Sequence, residues 1–583
     1  MNEQQRYAAH RIGHTSVIAP PGSGKSHTLV ERCAYLAKVY PGVRIINVTF
    51  TREAADEMQA RICARGISEE ATIISSTFHS LFKARLVSLG KLRGRIIPAA
   101  LRPHLLREVA WRAQREWSES GRQHVHASPP PSGVIDELTV AKAIEEGKRY
   151  GVKPEELEAW KGIPLAIYEA ELSRRGFVDL ADLVLVYLKG LDDGSILPFK
   201  ADFLHVDEFQ DTDFGQLRFA IVHAAKGVTT TIVADDDQSI YQFRGSLGFQ
   251  GVHLFEQATG AERVVLRSNY RSRAEIVTTA SRLIERNSAV RIAKTVVAER
   301  GSGGVVQTYS FANRGVEANA IAEQLAYEPR GEWAVLSRNN ADLRTLQSQL
   351  MTLRVPYSAP GGNLFDSEFI RCWLHLVSLI GTCGPEQFLH ALASLLGSVG
   401  VPADQTAGIH DSKDDGLRNA VDGVRVVLNH PLGQGDDEWT EQIATLTLAT
   451  QSLLRCAGLL FELKQKRLER SERDIAFCDS LVGGLRGTPR ERVAWVERAA
   501  QTSQEPAQDG RPVLLTMHAS KGMEFKNVWV MRVSDGTIPS RDGGANVWEE
   551  RRLLYVAMTR AKDCLIVSHS GLPSEFWKEV VPA

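Results

Sequence analysis

The chain has 583 residues, 43% of them hydrophobic and 24% charged, with 47 Gly and 23 Pro; this is enough for roughly four compact domains and excludes a disordered or fibrous chain. A formal net charge of -1 provides no global field for a polyanion, so any nucleic-acid site must be a local basic surface. The seven cysteines are scattered without a C-x-x-C pair, no stretch reaches 18 uninterrupted apolar residues, and MNEQQRYAAH lacks a signal-peptide pattern; a reducing, cytoplasmic setting without a membrane span is the expectation.

Taken in chain order, β-branched runs that end in polar clusters predict buried parallel strands at 15–20, 44–50, 71–77, 203–209 and 229–235. Helix-like stretches at 26–39 and 52–64 lie between the first of them. That alternation predicts an α/β fold with a doubly wound parallel sheet, its functional loops at the strands' carboxyl ends. A second series at 263–267, 305–311, 333–338, 512–518, 527–533 and 564–570 predicts a second α/β unit, whose helix at 341–351 turns Leu343, Leu346 and Leu350 to one face. Residues 81–179 and 385–507 are mostly helical in pattern and read as insertions, with loop-like interruptions at 126–133, 404–415 and 503–512. The domains expected are therefore 1–80 with 180–265, the insertion 81–179, then 266–384 with 508–583, and the insertion 385–507. Between Lys83 and Arg122 ten Lys/Arg face three Glu, with Trp111 and Trp117 interleaved. This is either a solvated helical face or a surface for duplex phosphates.

The segment APPGSGKS (19–26) follows a predicted strand and opens a predicted helix, the context a phosphate-binding loop requires. The glycines of Gly22-Ser23-Gly24 let backbone N–H groups approach phosphates at a helix N-terminus. Lys25, expected on an exposed loop, would reach the β/γ oxygens, and Ser26 would ligate Mg²⁺. Ala19 replaces the first glycine of the strict pattern. In VDEFQDTD (206–213) adjacent carboxylates end a strand, so Asp207 can hold Mg²⁺ while Glu208 polarises the attacking water.

From these motifs onward the chain resembles UvrD/Rep-type superfamily 1A helicases, from its first residues to its last strand. MNEQQ (1–5) is similar to the family's Q motif, VTFTREAADEM (48–58) to motif Ia, TFHSL (77–81) to motif Ib and ADDDQSIYQFRG (234–245) to motif III. LRSNYRS (266–272), LLTMHASKGMEF (514–525) and EERRLLYVAMTRAK (549–562) are similar to motifs IV, V and VI. Ala234 departs from the usual glycine, and the second insertion is shorter than is usual in the family.

The resemblance implies two RecA-like motor domains, each with a helical inserted subdomain, and ATP with Mg²⁺ in the cleft between them. It implies that Gln5 reads adenine, Tyr270 stacks on it and Glu524 contacts the ribose. Gln238 would sense the γ-phosphate, with Arg271 and Arg560 reaching phosphate from the second α/β unit. Phe50, Thr51, His79, Tyr241, Phe243, Arg244 and His518 would contact the DNA strand. Taken alone, Phe50 and Phe243 suit a core and the two histidines a satisfied loop; their joint order favours the DNA roles. The implied activity is a 3′–5′ single-stranded DNA translocase and helicase, acting on single strands and single-strand/duplex junctions in repair, replication restart or mobile-element maintenance. A nuclease or repair factor would be a fitting protein partner. The alternative is the ATPase, DNA-sensing subunit of a two-component anti-phage or mobile-element assembly with limited unwinding of its own.

Overall fold

The β-branched runs of the N-terminal half become β1 (Thr15–Ile18), β2 (Arg44–Thr49), β3 (Thr72–Thr77), β4 (Phe203–Val206) and β5 (Thr229–Ala234). With β6 (Glu262–Val265) they form a six-stranded sheet in the order β3-β2-β4-β5-β1-β6, every pair parallel. The computed structural model describes residues 1–67, 71–120, 130, 133–328, 332–360, 367–401, 403–406, 409, 412–461, 463, 465–504, 510–540 and 546–581. Of the expected loop-like interruptions, 126–129, 131–132, 407–408, 410–411 and 505–509 lie outside the described residues. The chain forms two compact units: Met1–Ser302 with Asn546–Tyr555, and Gly303–Ala545 with Val556–Ala583.

In the first unit, successive strand residues go to opposite faces. Val17, Ile45, Phe203 and Val233 join Leu29, Leu36, Met58 and Ile62 in one core, whereas Ile18, Ile46, Leu204 and Ile232 join Phe78, Phe82, Phe219 and Phe255 in another. Helices therefore cover both faces, which is why these strands lack an apolar/polar alternation. The run at 263–267, grouped by its pattern with the second series, pairs as β6 with β1 from Thr15↔Glu262 to Ile18↔Val265. Periodicity identifies a strand without naming its neighbour. Helix Phe78–Ser88 crosses the expected boundary at 80/81, because Phe78, Leu81, Phe82 and Leu86 all pack beneath the first sheet.

Helices Arg102–Ser120, Glu137–Tyr150 and Ala159–Arg174 enclose a small core of their own that includes Leu105, Val109, Val140, Ile144, Leu165 and Tyr168. Several residues of the basic stretch are paired here: Arg112 with Glu171, Arg115 with Glu119, and Lys91 with the Ser195 hydroxyl. Trp111 is exposed, while Trp117 packs against the core.

The second unit has a five-stranded parallel sheet of β7 (Val305–Phe311), β8 (Trp333–Ser337), β9 (Val513–Thr516), β10 (Phe525–Val530) and β11 (Ala561–Ser570), in the order β7-β11-β10-β8-β9. Helix Asn340–Thr352 buries Leu343, Leu346 and Leu350 as its spacing predicts. The later helices share this core: Leu395, Val424, Leu446, Leu453, Val482 and Val496 are continuous with Trp333, Val335 and Trp529. Asp436–Leu460 is long and apolar enough to cross a membrane by length and composition, but Ile443, Leu446, Leu453 and Leu454 face this core.

Two buried histidines set a pH dependence. His223 Nε2 accepts the Phe199 N–H at 3.0 Å, so Nδ1 carries the proton given to Phe219 O at 2.8 Å. Burial lowers His223 from 6.5 to about 4, and burial beside the Arg32 guanidinium lowers His205 well below its ordinary value. A folded-state value below the unfolded one means stability present above pH 6.5 that is lost as pH falls towards 4. For His223 that gap corresponds to roughly 3 kcal/mol. The urea midpoint of the protein should fall over this range, and His223→Gln should flatten the slope in part, leaving the share due to His205 and to the other histidines that burial lowers, His14 and His79. An unchanged slope would contradict the assignment.

Candidate active site and nucleic-acid interface

The residues singled out in the first unit stand beyond strand carboxyl ends: Gly22–Ser26 after β1, Phe50 and Thr51 after β2, His79 after β3, Asp207 and Glu208 after β4, Gln238 to Arg244 after β5, and Tyr270 and Arg271 after β6. One edge of one sheet thus gathers them, as the doubly wound fold requires.

The loop after β1 is held through three consecutive carbonyls. Pro21 O accepts from Asn269 Nδ2 at 2.8 Å, Gly22 O from the Tyr270 N–H at 2.8 Å and Ser23 O from Gln5 Nε2 at 2.9 Å. Gly22 and Gly24 have φ of 70° and 78°. A Cβ on Gly22 would lie 2.7 Å from Arg271 Cβ, and one on Gly24 would lie 2.8 Å from Gln5 Nε2, so both conformation and space demand glycine. Asn2 caps helix Glu3–His10 in a reciprocal capping box with Gln5 and donates from Nδ2 to the Tyr270 hydroxyl at 3.0 Å. Gln5 and Tyr270 therefore meet at one end of the loop. Arg271 stands in the first compact unit, whose residues run to Ser302. Asn269 explains it, because its Nδ2 ties this segment to Pro21 while its Oδ1 accepts the Arg271 and Ser272 N–H groups.

Lys25 was expected on an exposed loop; its side chain is only 14% exposed and its Nζ lies 3.1 Å from Glu208 Oε2. Burial alone would lower this ammonium, but Glu208, Asp235 and Asp207 outweigh it and hold Lys25 above its ordinary value. Asp207 is buried, and burial together with the Glu208 charge pushes its carboxyl up to about 6. Glu208 has φ 50° and ψ 41°, a left-handed backbone unusual for a non-glycine residue. Such strain persists where the surroundings over-determine it. Here the Glu208 N–H bonds Asp207 Oδ1 at 2.9 Å, and Gln210 Nε2 donates to Glu208 Oε2 at 2.6 Å.

Gln210 continues the chain of bonds, accepting the Asp235 N–H on Oε1 at 2.9 Å, while Asp235 Oδ2 accepts from Gln238 Nε2 at 2.6 Å. Asp235, Asp236 and Asp237 bring ligand oxygens within 4.8 Å of one another, as a metal site would. They are neutralised by protein cations: Lys294 Nζ lies 2.6 Å from Asp236, 2.8 Å from Asp237 and 3.3 Å from Asp235, and Arg291 pairs with Asp237 at 2.8 Å. Burial opposes the Lys294 charge, but the three aspartates hold it raised.

Beyond Gln238 the same segment presents rings. Tyr241 stacks on Phe50 at 5.8 Å and 11°, Phe243 meets Tyr241 edge-on at 6.1 Å, and the Arg244 guanidinium lies over both at 5.4 and 5.5 Å. Phe50 is 37% and Phe243 57% exposed, so neither is a core residue. Thr51 Oγ1 caps helix Arg52–Ala64 by accepting the Ala54 N–H. His79 is half-buried, and burial lowers it against the opposing charge of Asp213.

In the second unit, His518 follows the carboxyl end of β9, whereas Glu524 and Arg560 immediately precede β10 and β11. Glu524 pairs with Lys562 at 2.7 Å. Arg560 is buried, donating from Nε to Val556 O, from Nη1 to Met523 O and from Nη2 to the Thr559 hydroxyl.

Sequence reasoning missed Gln210, Asn269, Arg291 and Lys294. Gln210 and Asn269 lie inside recognised motifs, where a lone amide side chain was the available signal. Arg291 and Lys294 follow motif III by some fifty positions, and only the fold shows what they pair with.

Comparison with known proteins bears directly on this site. Residues 1–253 match the UvrD/REP helicase N-terminal domain, and residues 264–382 with 497–571 match the UvrD-like helicase C-terminal domain. DNA helicase II of Haemophilus influenzae is 28% identical, over 99% of this chain and 85% of that protein. The ATP-dependent DNA helicase PcrA of Staphylococcus epidermidis is 27% identical, over 100% of this chain and 86% of that protein. DNA helicase II of Escherichia coli is 28% identical, again over 100% of this chain and 86% of its own length.

Proposed function

The chain belongs to the UvrD/Rep helicase family and is an ATP-dependent enzyme, and from that premise we propose that it is a motor that steps 3′ to 5′ along single-stranded DNA and separates duplexes at junctions. The observation that carries this reading is a single continuous segment, Asp235 to Arg244, bonded at one end to the Glu208–Gln210 pair and bearing at the other the exposed Tyr241–Phe243–Arg244 cluster. Fuel and track are thereby joined by ten residues of one chain.

Two features fit the loop to ATP with Mg²⁺: the Ser23 hydroxyl is buried without a hydrogen-bond partner among the described residues, and Asp207 is a buried carboxylate short of positive charge. Ser26 and Asp207 would hold the ion. Mg²⁺, when bound, supplies charge neutralisation at the β- and γ-phosphates. The protein's own part is then assigned as follows. Lys25 binds phosphate oxygens and leaves Glu208 to orient water and accept its proton. Gln238 and Arg271 contact the terminal phosphate, Gln5 and Tyr270 the adenine, and Glu524 the ribose; Arg560 keeps the phosphate-reaching role that the resemblance implies. On the DNA side, Phe50, Tyr241 and Phe243 offer π-faces that accept any base, with Thr51, His79, Arg244 and His518 alongside.

ATP turnover measured with and without an oligo(dT) strand tests the reading: a severalfold stimulation supports it, and equal rates would refute it. Within that assay Phe243→Ala should raise the half-saturating oligo(dT) concentration about 5- to 150-fold, the equivalent of 1–3 kcal/mol for a lost stacking platform. Added salt should worsen binding further, because phosphate contacts then carry more of the affinity. Since Phe243 is 57% exposed, its melting temperature should stay near the parent's; a loss typical of a core truncation, about 3–5 kcal/mol, would show that the ring packs and does not stack.

A further inference from the structure

The turn that presents Phe243 has a problem of local chemistry. Residues Gln242–Arg244 form a single 3₁₀ turn preceded by Tyr241, whose side chain makes no capping bond. The first N–H groups of any helical turn lack partners within the turn and require an acceptor from elsewhere. Here the acceptor comes from three hundred residues further along the chain. Glu549 Oε1 accepts the Gln242 N–H at 2.9 Å, and the Phe243 backbone acts electrostatically on the same carboxylate. Asn546 Nδ2 adds a bond to Gln242 Oε1 at 3.2 Å.

The segment that carries Glu549 is itself fixed within the first unit. Trp548 O accepts from Asn287 Nδ2 at 2.9 Å, Arg551 donates to Asn287 Oδ1 at 2.9 Å and Arg552 Nη2 donates to Val290 O at 2.6 Å. Residues 287–290 lie just before Arg291 and Lys294, the cations that neutralise Asp235–Asp237. The Phe243 turn is thus anchored to one stretch of chain, through the aspartates before it and, by way of Glu549, at its first N–H.

We propose that Glu549 is a positioning residue for single-strand binding: by capping the Gln242–Arg244 turn it holds Phe243 where a base can stack. The proposal rests on the reading that Phe243 is a stacking platform. A carboxylate suits the task because charge-assisted bonds to a backbone N–H are about twice as strong as neutral ones.

The test is a double-mutant cycle on the full chain, read as affinity for a fluorescent oligo(dT) in the parent, Glu549→Ala, Phe243→Ala and the double variant. If Glu549 acts through Phe243, Glu549→Ala weakens binding about 5- to 30-fold in the parent and less than about twofold once Phe243 is alanine. Equal losses in both backgrounds would reduce Glu549 to general structural support, and no loss in the parent would overturn the proposal outright. If Phe243→Ala alone leaves affinity unchanged, the stacking reading has failed, an outcome distinct from a failure of Glu549. Glu549→Gln keeps one acceptor oxygen and guards against misfolding of the alanine variant. It should lose only about two- to fivefold, again only when Phe243 is present, and a loss independent of Phe243 would count against the proposal in the same way.

Discussion

Glu208→Gln is expected to bind ATP about as tightly as the parent and to hydrolyse it roughly 10²- to 10⁴-fold more slowly, the usual contribution of a positioned general base. The amide preserves the shape of the side chain and can still offer an oxygen to Lys25, 3.1 Å away in the parent. It cannot accept a proton from water. Gln210 would lose a carboxylate partner, now bonded at 2.6 Å, so a small loss of stability should accompany the kinetic defect. Turnover near the parental rate would exclude Glu208 as the base. A matching loss of ATP affinity would instead mean that the carboxylate acts in binding.

Lys25→Ala should fail differently, because Lys25 is both a phosphate ligand and the cation paired with Glu208 beside Asp207. Loss of ATP affinity and of turnover together is expected, with turnover down by about 10²–10³, the range for removing one preorganised donor of charge stabilisation. An alanine on an exposed loop would leave stability untouched. In this fold it leaves Glu208 and Asp207 facing one another without an ammonium, and a cost of roughly 1–3 kcal/mol follows from stranding charged hydrogen-bonding groups. The melting temperature at neutral pH should therefore fall by a few degrees. An unchanged melting temperature would show that the Lys25–Glu208 pair contributes nothing to the folded state.

Much of this site was legible before any coordinates. The glycines at 22 and 24, the lysine between a strand and a helix, and the adjacent carboxylates after a second strand all sit in segments whose local physics specifies the geometry, and the fold places them at one sheet edge. What the sequence concealed was long-range. β6 has the same β-branched character as the strands of the second sheet, so its partner, β1, could not be inferred from its pattern. The buried partners of Asp236 and Asp237, Lys294 and Arg291, lie some fifty positions on, and nothing in the sequence pattern pairs them. Glu549 stood only as the first residue of the segment similar to motif VI. Its capping role depends on a turn that begins at Gln242, which no periodicity links to it.

The central claim, a directional motor on single strands, is tested most directly by unwinding of two duplexes that differ only in carrying a 3′ or a 5′ single-stranded tail, each mixed with the protein and ATP. Strand separation of the 3′-tailed duplex alone, absent with Glu208→Gln, is the predicted result; preferential separation of the 5′-tailed duplex, or separation that persists in Glu208→Gln, would contradict it.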